Sequence, residues 1–173
     1  PDPASLEASS IGGNVAECAG GPRGFKYGTT RRYVLALEAV LPDGQVIETG
    51  SKAVKNVVGY DLTQLLVGSE GTLAIITKVT LRLVPKPPTR ATVMALFADV
   101  QSAVDAVTGV IRRRVVPATL ELIDAESLKA VSEHLGRPVA PGQTGAMLLV
   151  EADGTETTVK EEIDQGVHAR RQA

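Results

Sequence analysis

Two glycine-rich stretches carry most of the chemistry this sequence can support. The first, Ser9-Ser10-Ile11-Gly12-Gly13-Asn14-Val15-Ala16-Glu17-Cys18-Ala19-Gly20-Gly21, sets a glycine pair on either side of Asn14–Ala19. Glycine lacks a Cβ, so each pair tolerates positive φ and lets a ligand approach the main chain. The intervening segment is long enough for one or two helical turns. A short helix entered from Gly12-Gly13 would aim unpaired N–H groups outward, which suits an anion such as a pyrophosphate. The second stretch, Val67-Gly68-Ser69-Glu70-Gly71-Thr72-Leu73-Ala74-Ile75-Ile76-Thr77, opens into a β-branched strand. Either alone also reads as an ordinary tight turn; together they imply one shared ligand.

Other reactive side chains cluster around these runs. Cys18 is the single cysteine, which excludes an internal disulfide and points to a reducing, cytoplasmic compartment. It reads as a buried small residue or as a neighbour of the ligand, with no histidine close in sequence to activate it. Arg23, Lys26 and Arg31 could offset phosphate charge, but for each one a solvated loop is the favoured reading. Tyr27, beside Gly28, is the stronger candidate for packing near the ligand. Glu70, between Ser69 and Gly71, either ties backbone amides of the first run or faces solvent, with the structural tie favoured over a ligand contact. Glu17, Asp61 and Glu70 are the acids near the motifs, and none is assigned as a catalytic base. His134 and His168 form no metal-binding pattern.

These residues need elements to position them. Val34–Val40 and Gln45–Thr49, joined by Pro42-Asp43-Gly44, predict a β-hairpin. Leu62–Leu66 predicts a short helix with Asp61 as N-cap and Gln64 at the capping-box position. A strand is predicted over Ala74–Val84, ending at Pro85-Lys86-Pro87-Pro88, the best domain boundary in the chain. Beyond it strands at Ala91–Ala98, Thr119–Ile123 and Gly145–Ala152 alternate with helices. Asp99 is expected to cap a helix with Ala103, Val104, Val107, Val110 and Ile111 on one face. Asp124 is expected to cap another, bearing Leu128, Val131 and Leu135. A last helix is predicted from Thr155 to about Val167, frayed at Gln165-Gly166, with helices on one face of the sheet. Pro1-Asp2-Pro3 reads as extended chain. Arg112-Arg113-Arg114 reads as a solvated run at a helix C-terminus.

Composition narrows the functional classes. With 43% hydrophobic and 22% charged residues the chain has core material for a globular fold, and two Phe, three Tyr and no Trp make that core aliphatic. The balance of 18 basic and 20 acidic residues leaves a net charge of −2, so no nucleic-acid partner is expected. No apolar run approaches the ~20 residues of a transmembrane segment. A nicotinamide-binding Rossmann unit is disfavoured, because no Gly-x-Gly-x-x-Gly joins a strand to a helix.

In this order, Ser9–Gly21, Lys26-Tyr27-Gly28, Lys55-Asn56-Val57-Val58-Gly59-Tyr60-Asp61-Leu62 and Gly68–Thr77 resemble the FAD-binding domain of the vanillyl-alcohol-oxidase-type flavoproteins. The likeness is greatest to the branch holding glycolate oxidase catalytic subunits and D-lactate dehydrogenases. It implies an α+β fold, with residues 1–86 as the second half of that FAD-binding domain and 87–173 as the start of a ferredoxin-like α+β cap domain. It implies FAD as cofactor, with candidate contacts at Ser10, Ile11, Gly12, Gly13, Asn14, Ala16, Glu17, Ala19, Gly20, Gly21, Tyr27, Gly28, Glu70 and Gly71. Backbone groups of Ile75 and Ile76 join them by the same resemblance; Ala74 departs from it, since relatives usually carry glycine there.

The family's separate pyrophosphate loop and its histidine-rich substrate and metal motif have no counterpart in these residues. They are expected before Pro1 and after Ala173, which leaves the catalytic residues unknown and the stretch by itself free of FAD. The activity implied is that of an FAD-dependent 2-hydroxyacid dehydrogenase or oxidase, passing a hydride from the substrate α-carbon to flavin N5. The alternatives are another alcohol, such as an alditol or alkyl-ether substrate, and a cofactor-free interaction module. The implied partners are a small 2-hydroxyacid and sister subunits, one an iron–sulfur protein, through which the protein would associate with a membrane.

Overall fold

The computed structural model describes residues 3–53 and 55–170, with side chains as far as Gln165. The expected extended start at Pro1-Asp2 lies outside the described residues. The chain divides after Pro85, inside the proline cluster, into two compact units.

The first unit is built on a three-stranded antiparallel sheet of β1 (Val34–Val40), β2 (Val46–Gly50) and β3 (Ile75–Leu81), in the order β2-β1-β3. The hairpin forms where Pro-Asp-Gly requires it. Val40 pairs with Val46, Gly44 takes φ +85°, and the Asp43 carboxylate accepts from the Gln45 amide at 3.0 Å. Alternation along β1 sends Leu37 and Ala39 inward, and the register shift between Val34 and Ala36 brings Val34 to the same side, into a core completed by Val15, Leu66, Val67 and Ala74. Glu38 points the other way and accepts from the Lys78 ammonium at 2.6 Å and the Thr77 hydroxyl at 2.8 Å. β3 ends at Leu81 where its pairing with Val34 ends, short of the expected Val84. Leu83 and Val84 are accordingly exposed. The sheet carries helices α1 (Ile11–Glu17), α2 (Gly24–Tyr27) and α3 (Leu62–Leu66), with a 3₁₀ turn at Thr30–Tyr33 leading into β1.

In the second unit β4 (Thr89–Phe97), α4 (Val100–Arg112), β5 (Thr119–Asp124), α5 (Ala125–Leu135), β6 (Ala146–Gly154) and α6 (Glu156–Arg170) follow in turn. Both β4 and β5 pair antiparallel with β6, in the order β4-β6-β5. The outer strands are therefore parallel to each other, with β6 inserted between them, which is the split β-α-β arrangement of ferredoxin-like domains. Aspartate caps fix two helix starts: Asp99 accepts from the Ser102 amide at 2.7 Å and Asp124 from the Ser127 amide at 2.8 Å. These amide bonds hold both carboxyls below the ordinary aspartate value.

The buried helix faces differ from the expected ones. On α4 the inner stripe is Ala103, Ala106 and Val110, with Val107 half-buried, whereas Val104 and Ile111 are exposed. Alanines let the helix lie close to Ala95, Phe97, Ala146 and Leu148, so they win the inner face over the larger valine and isoleucine. On α5 Leu128 is buried, but Val131 and Leu135 are exposed. α6 runs unbroken through Gln165-Gly166 to Arg170, because one helical glycine costs only about 1 kcal/mol and does not stop a helix. The arginine run ends α4 as expected: Arg113 donates to the Gly109 carbonyl at 3.2 Å and Arg114 turns left-handed at φ +61°.

Gly145 donates its amide to the Phe97 carbonyl at 2.9 Å, and a Cβ there would lie 2.0 Å from the Ala98 carbonyl oxygen. Gly145→Ala must shift the β6 entry and is expected to destabilise the second unit by about 1–3 kcal/mol in denaturant titration. The caps predict an acid-side effect. An aspartate with a depressed folded-state pKa stabilises above its unfolded pKa and loses that stabilisation as pH falls through the folded value. In the double variant Asp99→Asn, Asp124→Asn, stability measured by thermal unfolding is expected to depend less on pH below the ordinary aspartate range.

Candidate functional site

The first glycine run folds as α1, but its entry differs from the one the sequence suggests. Ser10 is the N-cap: its hydroxyl accepts from the Gly13 amide at 3.0 Å and its carbonyl from the Asn14 amide at 2.9 Å. The pair Gly12-Gly13 therefore forms the first turn of the helix in place of preceding it, and neither this pair nor Gly20-Gly21 takes positive φ. Here glycine matters for space. The position of a Gly12 Cβ has nothing within 4 Å, leaving the backbone beside exposed Ile11 open. Asn14 and Ala16 are half-buried and Glu17 is exposed.

The two runs meet at the far end of α1. Cys18 turns left-handed at φ 55° and ends the helix, with the Ala19 amide reaching back to the Asn14 carbonyl at 2.8 Å. The second run docks on the carbonyls this leaves: the Gly68 amide donates to Val15 at 3.0 Å and the Glu70 amide to Ala16 at 2.9 Å. Glu70 thus makes its tie with its backbone, at φ 52°, while its side chain is exposed; the expected carboxylate tie is not the one formed. Gly68, at φ +83°, is confined because a Cβ would lie 3.1 Å from both the Cys18 Cβ and an Arg31 guanidinium nitrogen. Gly71 is also left-handed, at φ +75°, and faces open space.

The segment after Gly20-Gly21 braces this junction. Thr30 donates to the Ala19 carbonyl through its amide at 3.0 Å and its hydroxyl at 2.7 Å. The Arg31 guanidinium donates to the carbonyls of Gln64 and, at 2.6 Å, Val67, so this arginine is turned onto α3 and not towards a phosphate. Gln64 answers by donating to the Arg31 carbonyl at 3.2 Å; it does not close a capping box, although Asp61 caps α3 as expected, accepting from the Gln64 amide at 2.9 Å. Tyr27 is half-buried with the Lys26 ammonium 5.8 Å from its ring centroid, and its carbonyl accepts from the buried Tyr33 hydroxyl at 2.9 Å. Gly28 takes φ +74°, and a Cβ there would lie 2.4 Å from the Arg32 side chain, so both backbone and space favour glycine.

β3 begins at Ile75, which is exposed, followed by Ile76, which leans on the core. Ala74 belongs to that core, so the methyl that replaces the usual glycine is absorbed inside the unit. Residues 56–63 form a rim with Val57, Val58 and Tyr60 exposed, around a cavity of about 340 Å³ that Glu48 and Gly50 also line. No group of three or more metal-ligating side chains gathers among the described residues.

Cys18 sits at the junction, half-buried, with its thiol 3.3 Å from the Thr29 hydroxyl. Burial pushes the thiol up, but the Thr29 hydroxyl and the backbone and guanidinium of Arg31 outweigh it and hold the thiol below the ordinary cysteine value. The sequence offered no histidine to activate this thiol. The cationic partner comes instead from thirteen residues downstream through the fold.

Residues 86–173 match the family described as FAD linked oxidases, C-terminal domain, and residues 1–50 match FAD binding domain. The chain belongs to the FAD-linked oxidases. It is 46% identical over 165 residues to the glycolate oxidase subunit GlcD of Bacillus subtilis, covering 95% of this chain and 35% of that protein. It is 45% identical over 150 residues to a D-lactate dehydrogenase of Archaeoglobus fulgidus, covering 87% of this chain and 34% of that protein. A solved structure of alkyldihydroxyacetonephosphate synthase shares the fold, at TM-score 0.77 and 22% identity, over 99% of this chain and 34% of that one. The chain thus spans about a third of the length of the relatives it matches.

The residues of this FAD-linked oxidase chain fit its family's cofactor. Open backbone at Gly12 and Gly71 permits close approach of a flat or extended ligand. The hydroxyl oxygens of Ser9 and Ser69, one in each glycine run, are closed off from solvent without a hydrogen-bond partner, which suits a polar ligand. The thiol supplies a test of the junction. Alkylation of Cys18 is expected to reach half its limiting rate at a pH below that of an ordinary thiol, and Thr29→Val is expected to move that point upward.

Proposed function

We propose that this chain is part of an FAD-dependent 2-hydroxyacid dehydrogenase or oxidase of the glycolate or D-lactate type. The observation that carries the reading is the direct joining of the two glycine runs, Val15 and Ala16 accepting from Gly68 and Glu70, which assembles one open backbone surface from distant segments. Its assignment to FAD rests on the matched FAD binding domain, and its substrate class on the names of the hydroxyacid-oxidising relatives.

Bound FAD supplies the hydride acceptor when the substrate's α-hydroxyl carbon is oxidised to a carbonyl. This chain's task is to hold and orient. Ser10, Ile11, Gly12, Gly13 and Asn14 present the first turn of α1, while Ala16, Glu17, Ala19, Gly20 and Gly21 present its far end and the turn that follows. Tyr27 and Gly28 flank that turn; Glu70, Gly71 and the backbone of Ile75 and Ile76 present the opposing run. Main-chain groups fixed by their neighbours bind without being reorganised, which is how a rigid cradle favours orientation. Asp61 is committed to capping α3, and no acid of these motifs is a proton acceptor for the substrate hydroxyl. The subunit name of the Bacillus relative supports a multi-subunit assembly. We place an iron–sulfur protein among its sister subunits, and the protein in the cytoplasm, associated with a membrane through those subunits. Among the described residues no helix is long and apolar enough to cross a membrane.

The test is the visible spectrum of the full-length protein before and after anaerobic addition of D-lactate or glycolate. A flavin band that bleaches with either acid is expected. A flavin band indifferent to both would overturn the substrate class, and a protein that stays colourless after FAD addition would overturn the cofactor.

A further inference from the structure

The Arg31 side chain holds two carbonyls in the C-terminal half of the segment that delivers the second glycine run. Its guanidinium donates to the carbonyl of Gln64, within α3, and to the carbonyl of Val67, immediately before Gly68. Both are carbonyls at the C-terminal end of a five-residue helix, where no further turn supplies donors. The return bond from the Gln64 side chain to the Arg31 carbonyl locks the arginine's own backbone to the same helix. One residue before Arg31, Thr30 holds the Ala19 carbonyl at the exit of the first run. Arg31 also flanks the Cys18 thiol, and a guanidinium nitrogen lies 3.1 Å from where a Gly68 Cβ would be. Its contacts therefore reach both glycine runs.

We propose that Arg31 is a positioning residue of the cofactor cradle, clamping the α3 C-terminus so that Gly68–Gly71 stays seated on the last turn of α1. This rests on the FAD reading for its functional consequence. A planar fork with donors in fixed directions can hold two carbonyls at once, which the single ammonium of a lysine cannot reproduce in geometry although it keeps the charge. The clamp explains why an arginine beside a candidate phosphate site is spent on main-chain carbonyls. The cradle offers backbone groups, and their placement is what the side chain secures.

The experiment uses the full-length protein with Arg31→Met, Arg31→Lys and, as a control for general loss of stability, Ile47→Ala, which thins the same core from β2. Three quantities are read: FAD affinity by flavin fluorescence titration, the alkylation rate of Cys18 at neutral pH, and the melting temperature. Arg31→Met is expected to weaken FAD binding at least tenfold and slow alkylation several-fold. Arg31→Lys should recover most of the alkylation rate but little of the affinity, and Ile47→Ala should change neither at a comparable loss of melting temperature. FAD affinity within twofold of the parent in Arg31→Met, or the same loss in Ile47→Ala, would overturn the clamp. If the parent protein binds no FAD, the cofactor reading fails on its own. The clamp is then judged by hydrogen exchange of the Gly68 and Glu70 amides, with faster exchange in both Arg31→Met and Arg31→Lys but not in Ile47→Ala counting for it and unchanged exchange against it.

Discussion

Two main-chain hydrogen bonds, from Gly68 to Val15 and from Glu70 to Ala16, hold the first unit's site together. They satisfy carbonyls at the end of a seven-residue helix that is too short to persist without tertiary support. They also fix where a segment more than fifty residues later must lie. Much else in the unit serves that contact. Cys18 bends left-handed so that the helix stops there, Gly68 omits a side chain that would collide with it, and Thr30 and Arg31 secure the backbone on either side. Val15, Leu66, Val67 and Ala74 bury the same elements against β1.

What could be read from the residues alone was whatever depends on near neighbours. Pro42-Asp43-Gly44 specifies its hairpin, and Asp61, Asp99 and Asp124 specify their helix starts, because donor and acceptor lie within a few residues of each other. The glycine runs could be recognised as a pair for their composition. How they join could not, since the bonds connect Val15 with Gly68 across the intervening hairpin. Arg31 and Gln64 misled for the same reason: a solvated loop position and a capping box are local readings, and the partners actually chosen lie 33 residues away. Gly12-Gly13 was misplaced by a different cause, the capping residue Ser10, which starts the helix at Ile11 and so takes both glycines into its first turn.

The second unit shows the limit of hydrophobic periodicity. Along α4 a stripe through Val104 and Ile111 and one through Ala103, Ala106 and Val110 differ by a modest rotation of the helix, and only the sheet beneath decides between them. Ala95, Phe97 and Ala146 of the sheet share one buried cluster with Ala103 and Ala106 of the helix. The strand order β4-β6-β5 is likewise a non-local outcome, with the last strand entering between the first two. The alternation of strand and helix signals was nevertheless enough to indicate an α+β unit.

A junction made almost entirely of amides and carbonyls has a consequence for how such a protein can diverge. On the FAD reading, the positions proposed to face the ligand, such as Gly12, Gly13, Glu70 and Gly71, contribute main-chain atoms, while Val15 between them is held in the core. Selection on the cradle therefore falls on a handful of residues that shape the backbone, such as Gly68, Gly28 and Ser10. The rest of the surface is left free to drift towards new substrates and neighbours without loss of the cofactor seat.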